Sequence, residues 1–390
     1  MRKRILRVKN AVRSRMRILG SAVKYLLCCL LPRLNKTETW VICERGTDAR
    51  DNGYAFYRYM VDHHPEIRLY YLITPDSADY PKVMEHAVAF GSLKNYRVVA
   101  KADKIISTHC YTALPVKHEK SWRLLGLAKR FYFLQHGIIY NKLPYLFGDK
   151  TGMRLFCCGA KPEYEYVRAH FLHPDDVVQC TGLARYDLLL PYTAKRQILV
   201  MPTWRRYLKD EKTFPDSQYF RAWNAVLRDT RLTRFLADTQ TKLIFYPHYE
   251  LQPWLKYFQP ESSDVVLADF ANYDVQQLLK ESLLLVTDYS SVHFDFAYME
   301  KPCLYYQFDT EQYRRMHYRE GYFRIERDGF GPVEQEHERL VDRILESAGN
   351  GFAMDSVYRM RMQAFFAYRD QHNCERIYQA IADCGLTGKI

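Results

Sequence analysis

One apolar stretch constrains the fold more than any other part of this 390-residue chain. Residues 283–287 read LLLVT and run directly into a polar turn, DYSS, at 288–291. A run of apolar and β-branched residues without polar alternation is typical of a strand buried on both faces of a parallel sheet. The turn would then lie at the carboxyl end of a central strand, where open α/β sheets bind their ligands.

Two serines in this turn, Ser290 and Ser291, lie where a helical pattern begins. A helix N-terminus attracts anions through its unpaired N–H groups and its dipole, and the two hydroxyls add donors. A serine at this place is equally suited to be a simple helix cap. The turn therefore predicts either a phosphate site or an N-cap.

Short apolar strands alternate with helical patterns along the chain, which predicts doubly wound parallel sheets. The predicted strands are 40–43, 69–74, 88–90, 104–108, 131–135, 154–158, 177–180, 198–201, 243–246, 265–267, 283–287 and 303–306. Because the pattern restarts near Pro191, we expect an α/β protein with two Rossmann-type domains, 37–192 and 193–390, facing each other across a cleft. The region from 333 onward reads as a helical tail of the second domain.

The net charge of +12 belongs to the start of the chain. Residues 1–36 contain 11 basic and no acidic residues, which leaves 46 basic and 45 acidic residues elsewhere. The body is therefore nearly neutral, and this argues against a nucleic-acid partner. The basic segment also carries an apolar stripe at helical spacing, made of Ile5, Val8, Val12, Met16, Leu19, Val23, Leu27 and Leu31.

This basic amphipathic pattern predicts a helix that lies on an anionic membrane surface. The longest apolar run, 25–31, is too short to span a bilayer. A helix that packs on the protein body is one alternative, and a signal peptide is another, although no small-residue cleavage site follows it. The ten cysteines show no spacing typical of zinc sites, which favours a reducing compartment and predicts no metal centre.

Polar residues follow several predicted strands at their carboxyl ends. His136 follows 131–135, Arg205 follows 198–201 and His248 follows 243–246. Each residue alone is more often structural, but together with the DYSS turn they suggest a phosphate-binding edge with a histidine general base. No Gly-rich nucleotide motif or Asp-x-Asp pair is present.

The stretch 274–309, which contains this turn, resembles the CDP-glycerol:poly(glycerophosphate) glycerophosphotransferase family of teichoic-acid enzymes. The resemblance extends over about 40–332 through ERG (44–46), DNG (51–53), His-Gly (136–137), TGLARYD (181–187), PTWR (202–205), YREGYF (318–323) and FGP (330–332). Gln135 stands where the family usually has Trp. The resemblance implies a GT-B fold.

The resemblance also implies roles for individual residues. His136 matches the catalytic base for the acceptor hydroxyl, and His248 is a second catalytic histidine that holds the pyrophosphate. The other donor-side residues are Arg185, Arg205, Asp288, which orders the turn, Ser290 and Ser291. The acceptor-side residues are Gly137 and Lys142.

We therefore expect a peripheral enzyme at the cytoplasmic face of the membrane. It would transfer glycerol phosphate from CDP-glycerol to a lipid-linked acceptor, with release of CMP, in teichoic-acid or capsular polymer synthesis and with no cofactor assigned. The alternatives are a CDP-ribitol-dependent phosphotransferase, a GT-B glycosyltransferase that uses a nucleotide sugar, and a catalytically inert membrane scaffold.

Overall fold

The computed structural model describes residues 2–33, 36–116, 119–208, 210–316 and 321–384, with side chains from residue 16 onward. The predicted stripe residues Ile5, Val8 and Val12 and the first three residues of YREGYF therefore lie outside the described side chains. Two compact units form: unit 1 contains Met1–His136, Leu143–Leu188 and Asp370–Ile390, and unit 2 contains Gly137–Lys142 and Leu189–Arg369.

Strands and helices alternate along most of the chain. The strands are β1 Thr39–Cys43, β2 Arg68–Ile73, β3 Ala87–Ala89, β4 Lys104–Ser107, β5 Phe131–Phe133, β6 Leu155–Cys158, β7 Val178–Cys180, β8 Gln197–Met201, β9 Lys242–Phe245, β10 Val265–Leu267, β11 Leu284–Thr287, β12 Cys303–Tyr306 and β13 Val333–Glu334. The helices are α1 Arg2–Leu30, α2 Asn52–His63, α3 Leu93–Lys101, α4 Glu119–Leu124, α5 Gly148–Thr151, α6 Lys161–His170, α7 Gln218–Leu227, α8 Thr230–Thr239, α9 Val275–Glu281, α10 Val292–Tyr298, α11 Thr310–Met316, α12 Ile325–Asp328, α13 His337–Gly349, α14 Ser356–Phe365 and α15 Asn373–Asp383.

Unit 1 is built on a parallel sheet in the order β3-β2-β1-β4-β5-β6-β7. Strands β1 and β4 are buried along their whole length, as expected for central strands covered on both faces. The strand order reverses direction between β1 and β4, and this switch point is where doubly wound sheets place their ligands.

The last helix of the chain, α15, belongs to unit 1 and not to the second domain in which the sequence pattern puts it. Ile377 and Ile381 are fully buried in the core of unit 1. Asp187 fixes the start of the helix, because its carboxylate accepts the backbone N–H groups of Asn373 (3.0 Å) and Cys374 (2.7 Å). The chain therefore returns to its first sheet after completing the second.

Unit 2 has a second parallel sheet, in the order β10-β9-β8-β11-β12-β13. The predicted LLLVT strand lies in the interior of this sheet as β11, between β8 and β12; its residues Leu284–Thr287 are completely buried, and Leu283 precedes the strand. The prediction of a purely helical tail from 333 is wrong at its first residues, because Val333 and Glu334 pair with β12 as the short edge strand β13. Two residues are too few to produce a strand pattern.

Helix α1 packs on unit 1 through one face and exposes the opposite one. Ser21, Tyr25 and Cys28 are buried, and the Tyr25 hydroxyl accepts a hydrogen bond from Arg130 at 2.7 Å. At 3.6 residues per turn these positions lie opposite the predicted apolar stripe. Its described members are exposed: Met16, Leu19, Val23, Leu27 and Leu31. Within the described part of the chain, no helix is both long enough and apolar enough to cross a bilayer.

Candidate active site

His136 lies just beyond the carboxyl end of β5, near the switch point of unit 1. Its side chain is 57% exposed. The preceding Gln135 is fully buried and has a positive φ of 63°, a conformation that costs energy for any residue with a Cβ. Its side-chain amide donates to the carbonyl of Cys157 on β6. This anchored, strained residue turns the chain so that the next side chain points outward.

Asp51 holds the imidazole of His136 in one orientation. The Asp51 carboxylate bonds to Nδ1 of His136 and forms an ion pair with Arg185 at 2.8 Å. Burial alone would raise the pKa of Asp51, but the charges of His136 and Arg185 outweigh it and hold that pKa below its ordinary value. Because Nδ1 faces a carboxylate, Nδ1 carries the proton in the neutral ring, and Nε2 is left as the basic nitrogen.

Glu44 allows Asp51 to take this position. Asp51 is the N-cap residue of α2, yet its side chain does not cap the helix. Glu44, just after β1, instead accepts the backbone N–H groups of Asp51 (2.9 Å), Tyr54 (2.8 Å) and Arg50 (3.1 Å). The buried carboxyl group of Glu44 thus satisfies two of the orphan donors of the helix, those of Asp51 and Tyr54, and the Asp51 side chain can face His136.

The pKa of Glu44 is raised to about 8. Burial is the main cause, and the nearby carboxylates of Asp51 and Asp48 add to it. The hydrogen bonds from the N–H groups of Arg50 and Tyr54 oppose the shift. The helix approaches Glu44 so closely that a Cβ at Gly53 would lie 2.7 Å from its Cγ. The glycine of the DNG motif is therefore required by the glutamate of the ERG motif.

Asn52, the middle residue of DNG, ties the site together through both ends of its amide. Its Nδ2 donates to the carbonyl of Gln135 at 2.9 Å, and its Oδ1 accepts the backbone N–H of Arg185 at 2.9 Å. Arg185 in turn donates to the carbonyl of His136 at 2.7 Å. The backbone on both sides of the histidine side chain is therefore fixed by groups from α2 and from the TGLARYD segment.

Two further side chains surround His136. Nη2 of Arg45 lies 3.5 Å from Nε2 of His136, and Nε of Arg45 donates to Nε2 of His109 at 3.4 Å. The rings of His109 and His136 are 4.8 Å apart. These residues follow β1 and β4, whose carboxyl ends meet at the switch point of the sheet.

In unit 2, hydrogen bonds link the turns that follow three adjacent strands. The side chain of Asp288, which follows β11, accepts two backbone N–H groups. One belongs to Thr203, which follows β8 (2.8 Å), and the other to the next residue, Tyr289 (2.6 Å). The N–H of His248, after β9, bonds to the carbonyl of Pro202 at 3.2 Å. The PTWR, YPHYE and TDYSS segments thus occupy one edge of the sheet, at the carboxyl ends of β8, β9 and β11.

Arg205 is wholly inside this edge. Its guanidinium pairs with Asp288 at 2.9 Å and with Asp309 at 2.7 Å, and all three side chains are 0% exposed. Burial lowers the pKa of Arg205, but the two carboxylates more than compensate and raise it. The guanidinium also donates to the carbonyl of Thr203 at 2.7 Å. The sequence pattern predicts a phosphate ligand here, whereas the structure shows a guanidinium occupied by protein groups.

His248 is a partly exposed side chain of this edge. Its Nδ1 accepts the backbone N–H of Glu250 at 3.3 Å, which leaves the proton of the neutral ring on Nε2. The indole ring of Trp204 is nearly parallel to the imidazole, with 6.1 Å between the ring centres. His248 therefore presents an N–H donor in a fixed ring plane, as a phosphate ligand requires.

Ser290 and Ser291 are half-buried in the turn that precedes α10. Ser290 Oγ accepts the N–H of Val292 at 3.4 Å, as an N-capping side chain does, whereas Ser291 makes no side-chain cap. Tyr140 lies against the same turn, with its hydroxyl donating to the carbonyl of Tyr289 at 2.5 Å. Both readings of the serines, cap and anion ligand, remain compatible with this geometry.

The structure separates the predicted site residues into two groups. Arg185, predicted on the donor side, lies in unit 1 beside His136. Gly137 and Lys142 bound a segment that belongs to unit 2, and Lys142 is exposed.

Sequence reasoning did not identify four residues around His136 as site residues: Glu44, Arg45, Asp51 and His109. The ERG and DNG motifs contain the first three of them. In the described part of the chain, no cluster of three or more His, Cys, Asp or Glu side chains could hold a metal.

The chain is similar to curated teichoic-acid proteins of Bacillus subtilis. The chain is 32% identical over 368 residues to the minor teichoic acid biosynthesis protein GgaB of Bacillus subtilis, covering 90% of this chain and 40% of the relative. It is 24% identical over 375 residues to the teichoic acid poly(glycerol phosphate) polymerase of the same organism, covering 87% and 48%. The chain thus spans less than half the length of these two curated relatives.

The wall teichoic acid polymerase TagF has a similar solved structure, with a TM-score of 0.69 at 17% identity, covering 97% of this chain and 98% of that one. This likeness confirms the predicted GT-B-like α/β fold class with two doubly wound parallel sheets. Residues 176–383 match the CDP-glycerol:poly(glycerophosphate) glycerophosphotransferase family. The resemblance noted in the sequence is therefore confirmed, and the chain belongs to this family.

Proposed function

We propose that this protein transfers glycerol phosphate from CDP-glycerol to a membrane-bound, lipid-linked acceptor and releases CMP, in the synthesis of a teichoic-acid or capsular polymer. The observation that carries the proposal is the Asp51–His136 pair, which presents an oriented imidazole in a member of this family. A solved structure of a TagF variant was obtained after a soak with CDPG, which supports the choice of donor.

In the proposed reaction, Nε2 of His136 takes the proton from a hydroxyl group of the acceptor. The oxygen attacks the β-phosphorus of CDP-glycerol, a new P–O bond forms, and the bond to CMP breaks. Phosphoryl transfer needs an aligned nucleophile and neutralised phosphate charge more than covalent help from the protein. Asp51 stabilises the imidazolium that forms, as a buried carboxylate does for other catalytic histidines.

The donor's pyrophosphate is bound by groups of unit 2 that present N–H and O–H donors. His248 offers its Nε2–H, and Ser290 and Ser291 offer their hydroxyls at the amino end of α10. Arg205 acts indirectly, since its ion pairs with Asp288 and Asp309 keep the two turns in register. Each charge-assisted hydrogen bond of this kind contributes about 1.5–3 kcal/mol.

The test is CMP release from CDP-glycerol, with and without a membrane extract as acceptor, by wild type, His136→Ala, His248→Ala and Ser290→Ala. His63→Ala, an exposed histidine of α2, is the control. We expect acceptor-dependent release that falls by roughly 10²- to 10⁴-fold in His136→Ala. His248→Ala and Ser290→Ala should raise the KM for CDP-glycerol, and His63→Ala should match wild type.

Failure of wild type to bind or turn over CDP-glycerol would overturn the assignment of the donor. CDP-ribitol and nucleotide sugars would then be tested, because both alternatives use the same kind of fold. Release of a nucleoside diphosphate together with sugar incorporation would indicate a glycosyltransferase. Unchanged activity of His136→Ala would indicate that the histidine is not the base.

We also propose that the protein binds the cytoplasmic face of the membrane through the exposed stripe of α1. The stripe carries Met16, Leu19, Val23 and Leu27 on one side of the helix, with Leu31 just beyond its end, and the opposite side packs on the rest of unit 1. Basic side chains beside an apolar stripe favour anionic lipid. Burial of each leucine-sized side chain in the interface adds about 1.5–3 kcal/mol.

Glutamate substitutions test this surface without removing the buried Tyr25. Val23→Glu combined with Leu27→Glu should lower sedimentation with vesicles of anionic lipid by at least about tenfold, because two apolar contacts are lost and two repulsive charges are added. Leu172→Glu, which changes an exposed leucine elsewhere in unit 1, is the matched control. If the double variant sediments like wild type, the stripe is not the binding surface.

A further inference from the structure

We propose that Arg45, oriented by Asp48 and His109, determines acceptor specificity by binding a phosphodiester group next to the hydroxyl that His136 deprotonates. This inference rests on the function proposed above and narrows it. The acceptor is a chain end made of a polyol phosphate, and a neutral sugar end is a poor substrate.

Arg45 is held in a defined orientation at the edge of the unit 1 sheet. Its Nη1 pairs with Asp48 at 2.9 Å, and its Nε donates to Nε2 of His109 at 3.4 Å. The side chain is still 35% exposed. A guanidinium fixed by neighbours on one side loses little conformational freedom when it binds an anion on its exposed side.

His109 is itself fixed in one tautomer by these contacts. An arginine N–H can only donate, so Nε2 of His109 accepts, and its Nδ1 carries the ring proton and bonds to Oγ1 of Thr108 at 2.8 Å. His109 therefore supports Arg45 as a hydrogen-bond acceptor. The cationic group that borders the base is the guanidinium.

The distance between Arg45 and the base matches a short polyol phosphate. Nη2 of Arg45 lies 3.5 Å from Nε2 of His136, the atom that must contact the attacking hydroxyl. In a polyol phosphate end, the hydroxyl and the phosphate are separated by only a few carbon atoms. A hydroxyl bonded to Nε2 thus brings its own phosphate within reach of the guanidinium, which binds phosphate oxygens in pairs.

A neutral acceptor meets a different situation. With no anion to bind, Arg45 keeps its contact with Nε2 of His136 and competes with the incoming hydroxyl for that nitrogen. A phosphate group draws the guanidinium away and leaves Nε2 accessible. Specificity then comes both from the attraction of the phosphate and from this competition against acceptors that lack it.

The kinetic test uses two synthetic lipid-linked disaccharides with CDP-glycerol as donor, one ending in a single glycerol phosphate and one without it. We expect Arg45→Gln to raise the KM for the phosphorylated acceptor by roughly ten- to hundredfold, with a much smaller change for the neutral one. Arg45→Lys keeps the charge but not the paired donors, so its KM for the phosphorylated acceptor should lie between those of wild type and Arg45→Gln. Arg58→Gln, an exposed arginine on α2, should behave as wild type.

Equal losses with both acceptors, expressed in kcat, would overturn the proposal. That result would place Arg45 on the transferred phosphoryl group or on His136 itself. A preference of wild type for the neutral acceptor would overturn it as well.

A binding measurement separates failure of this proposal from failure of the proposed reaction. Glycerol phosphate is titrated into the full chain labelled in its histidine rings, with glycerol as the control, and the ring signals of His136 and His109 are followed by NMR. We expect shifts with glycerol phosphate in wild type that are lost in Arg45→Gln. If CMP release fails while these shifts appear, the donor assignment is wrong and the anion site stands. If the shifts are absent, the anion site is wrong.

Discussion

Each unit contains a cluster of charged side chains at the carboxyl edge of its parallel sheet. The cluster in unit 1 contacts an exposed side chain, whereas the cluster in unit 2 is completely buried. In unit 1, Glu44, Asp51 and Arg185 lead to His136, which is 57% exposed. In unit 2, Arg205 and its two carboxylates are 0% exposed. The first cluster supports a side chain that can meet a substrate, and the second supports the backbone of two turns.

The pKa values of the two carboxylates that pair with arginine, Asp51 and Asp288, shift in opposite directions. Asp51, next to a histidine that contacts solvent, has its pKa held low by His136 and Arg185. Burial raises the pKa of Asp288, although Arg205 opposes the shift. In a fully buried ion pair, the desolvation penalty offsets most of the electrostatic attraction. We therefore expect the Arg205–Asp288 pair to fix the geometry of the turns more than it stabilises the fold.

The largest expected effect is on catalysis in unit 1. Asp51→Asn keeps the shape of the side chain but permits the wrong tautomer of His136, so kcat for CMP release should fall by about 10²- to 10⁴-fold. The free energy of unfolding should fall by about 1–3 kcal/mol, because the buried Arg185 loses its ion-pair partner, although Glu44 still accepts the N–H groups at the start of α2. Both are measured on the same preparation, by CMP assay and urea unfolding.

Asp62→Asn, an exposed aspartate near the other end of α2, is the matched control and should leave kcat unchanged. Because His136 and Asp51 act as one unit, the double variant Asp51→Asn/His136→Ala should be no slower than His136→Ala alone. Multiplying losses in the double variant would show that Asp51 acts independently of the histidine.

The next effect is on the stability of unit 2. Arg205→Met leaves Asp288 and Asp309 buried without their partner, which should lower the free energy of unfolding by about 3–5 kcal/mol. Arg206→Met changes the exposed neighbour and should have an effect below about 0.5 kcal/mol. Urea unfolding monitored by fluorescence measures both.

This variant also decides between the two interpretations of Arg205. A normally stable Arg205→Met that no longer binds CDP-glycerol would identify the arginine as a donor ligand, as the sequence pattern predicts. A destabilised variant whose remaining folded fraction binds the donor would identify it as a support for the turns.

The contrast also explains which features the sequence could predict. The predicted strand 303–306 coincides with β12, which is buried over its whole length, since a strand buried on both faces needs an unbroken apolar run and leaves a clear pattern. The predicted strand 265–267 coincides with β10, an edge strand that is only partly buried. His136 and His248 could be picked out as candidates because several polar residues follow predicted apolar strands at their carboxyl ends, where open α/β sheets bind ligands. Edge strand β13, with two residues, has no such pattern.

The partners of these residues could not be predicted, because they are distant in sequence. Asp51 is separated from His136 by 85 positions, and Asp309 from Arg205 by 104. From sequence alone, a carboxylate in a polar loop is expected to be exposed to solvent. Only the folded structure shows which cationic side chain lies beside it. Arg205 therefore looked available for phosphate, and Asp51 was noticed only as part of the DNG motif.

The last expected effect is a pH dependence of stability in unit 1. The pKa of Glu44 is raised from 4.5 to about 8 in the folded protein. The folded state therefore holds this proton more tightly than the unfolded state, so the stability linked to Glu44 is present below pH 4.5 and is lost as the pH rises through 8. The loss should amount to up to about 5 kcal/mol.

Glu44→Gln removes this dependence, because a glutamine cannot ionise but still offers an oxygen to the N–H groups of α2. The variant should equal wild type in urea unfolding at pH 5 and exceed it at pH 8, whereas the exposed Glu85→Gln should follow wild type at both. Since the charge of Asp51 contributes to the raised pKa, Asp51→Asn should also shift the upper end of the pH window downward. If that window does not move, Glu44 and Asp51 are not electrostatically linked, and the link from α2 to His136 is purely geometric.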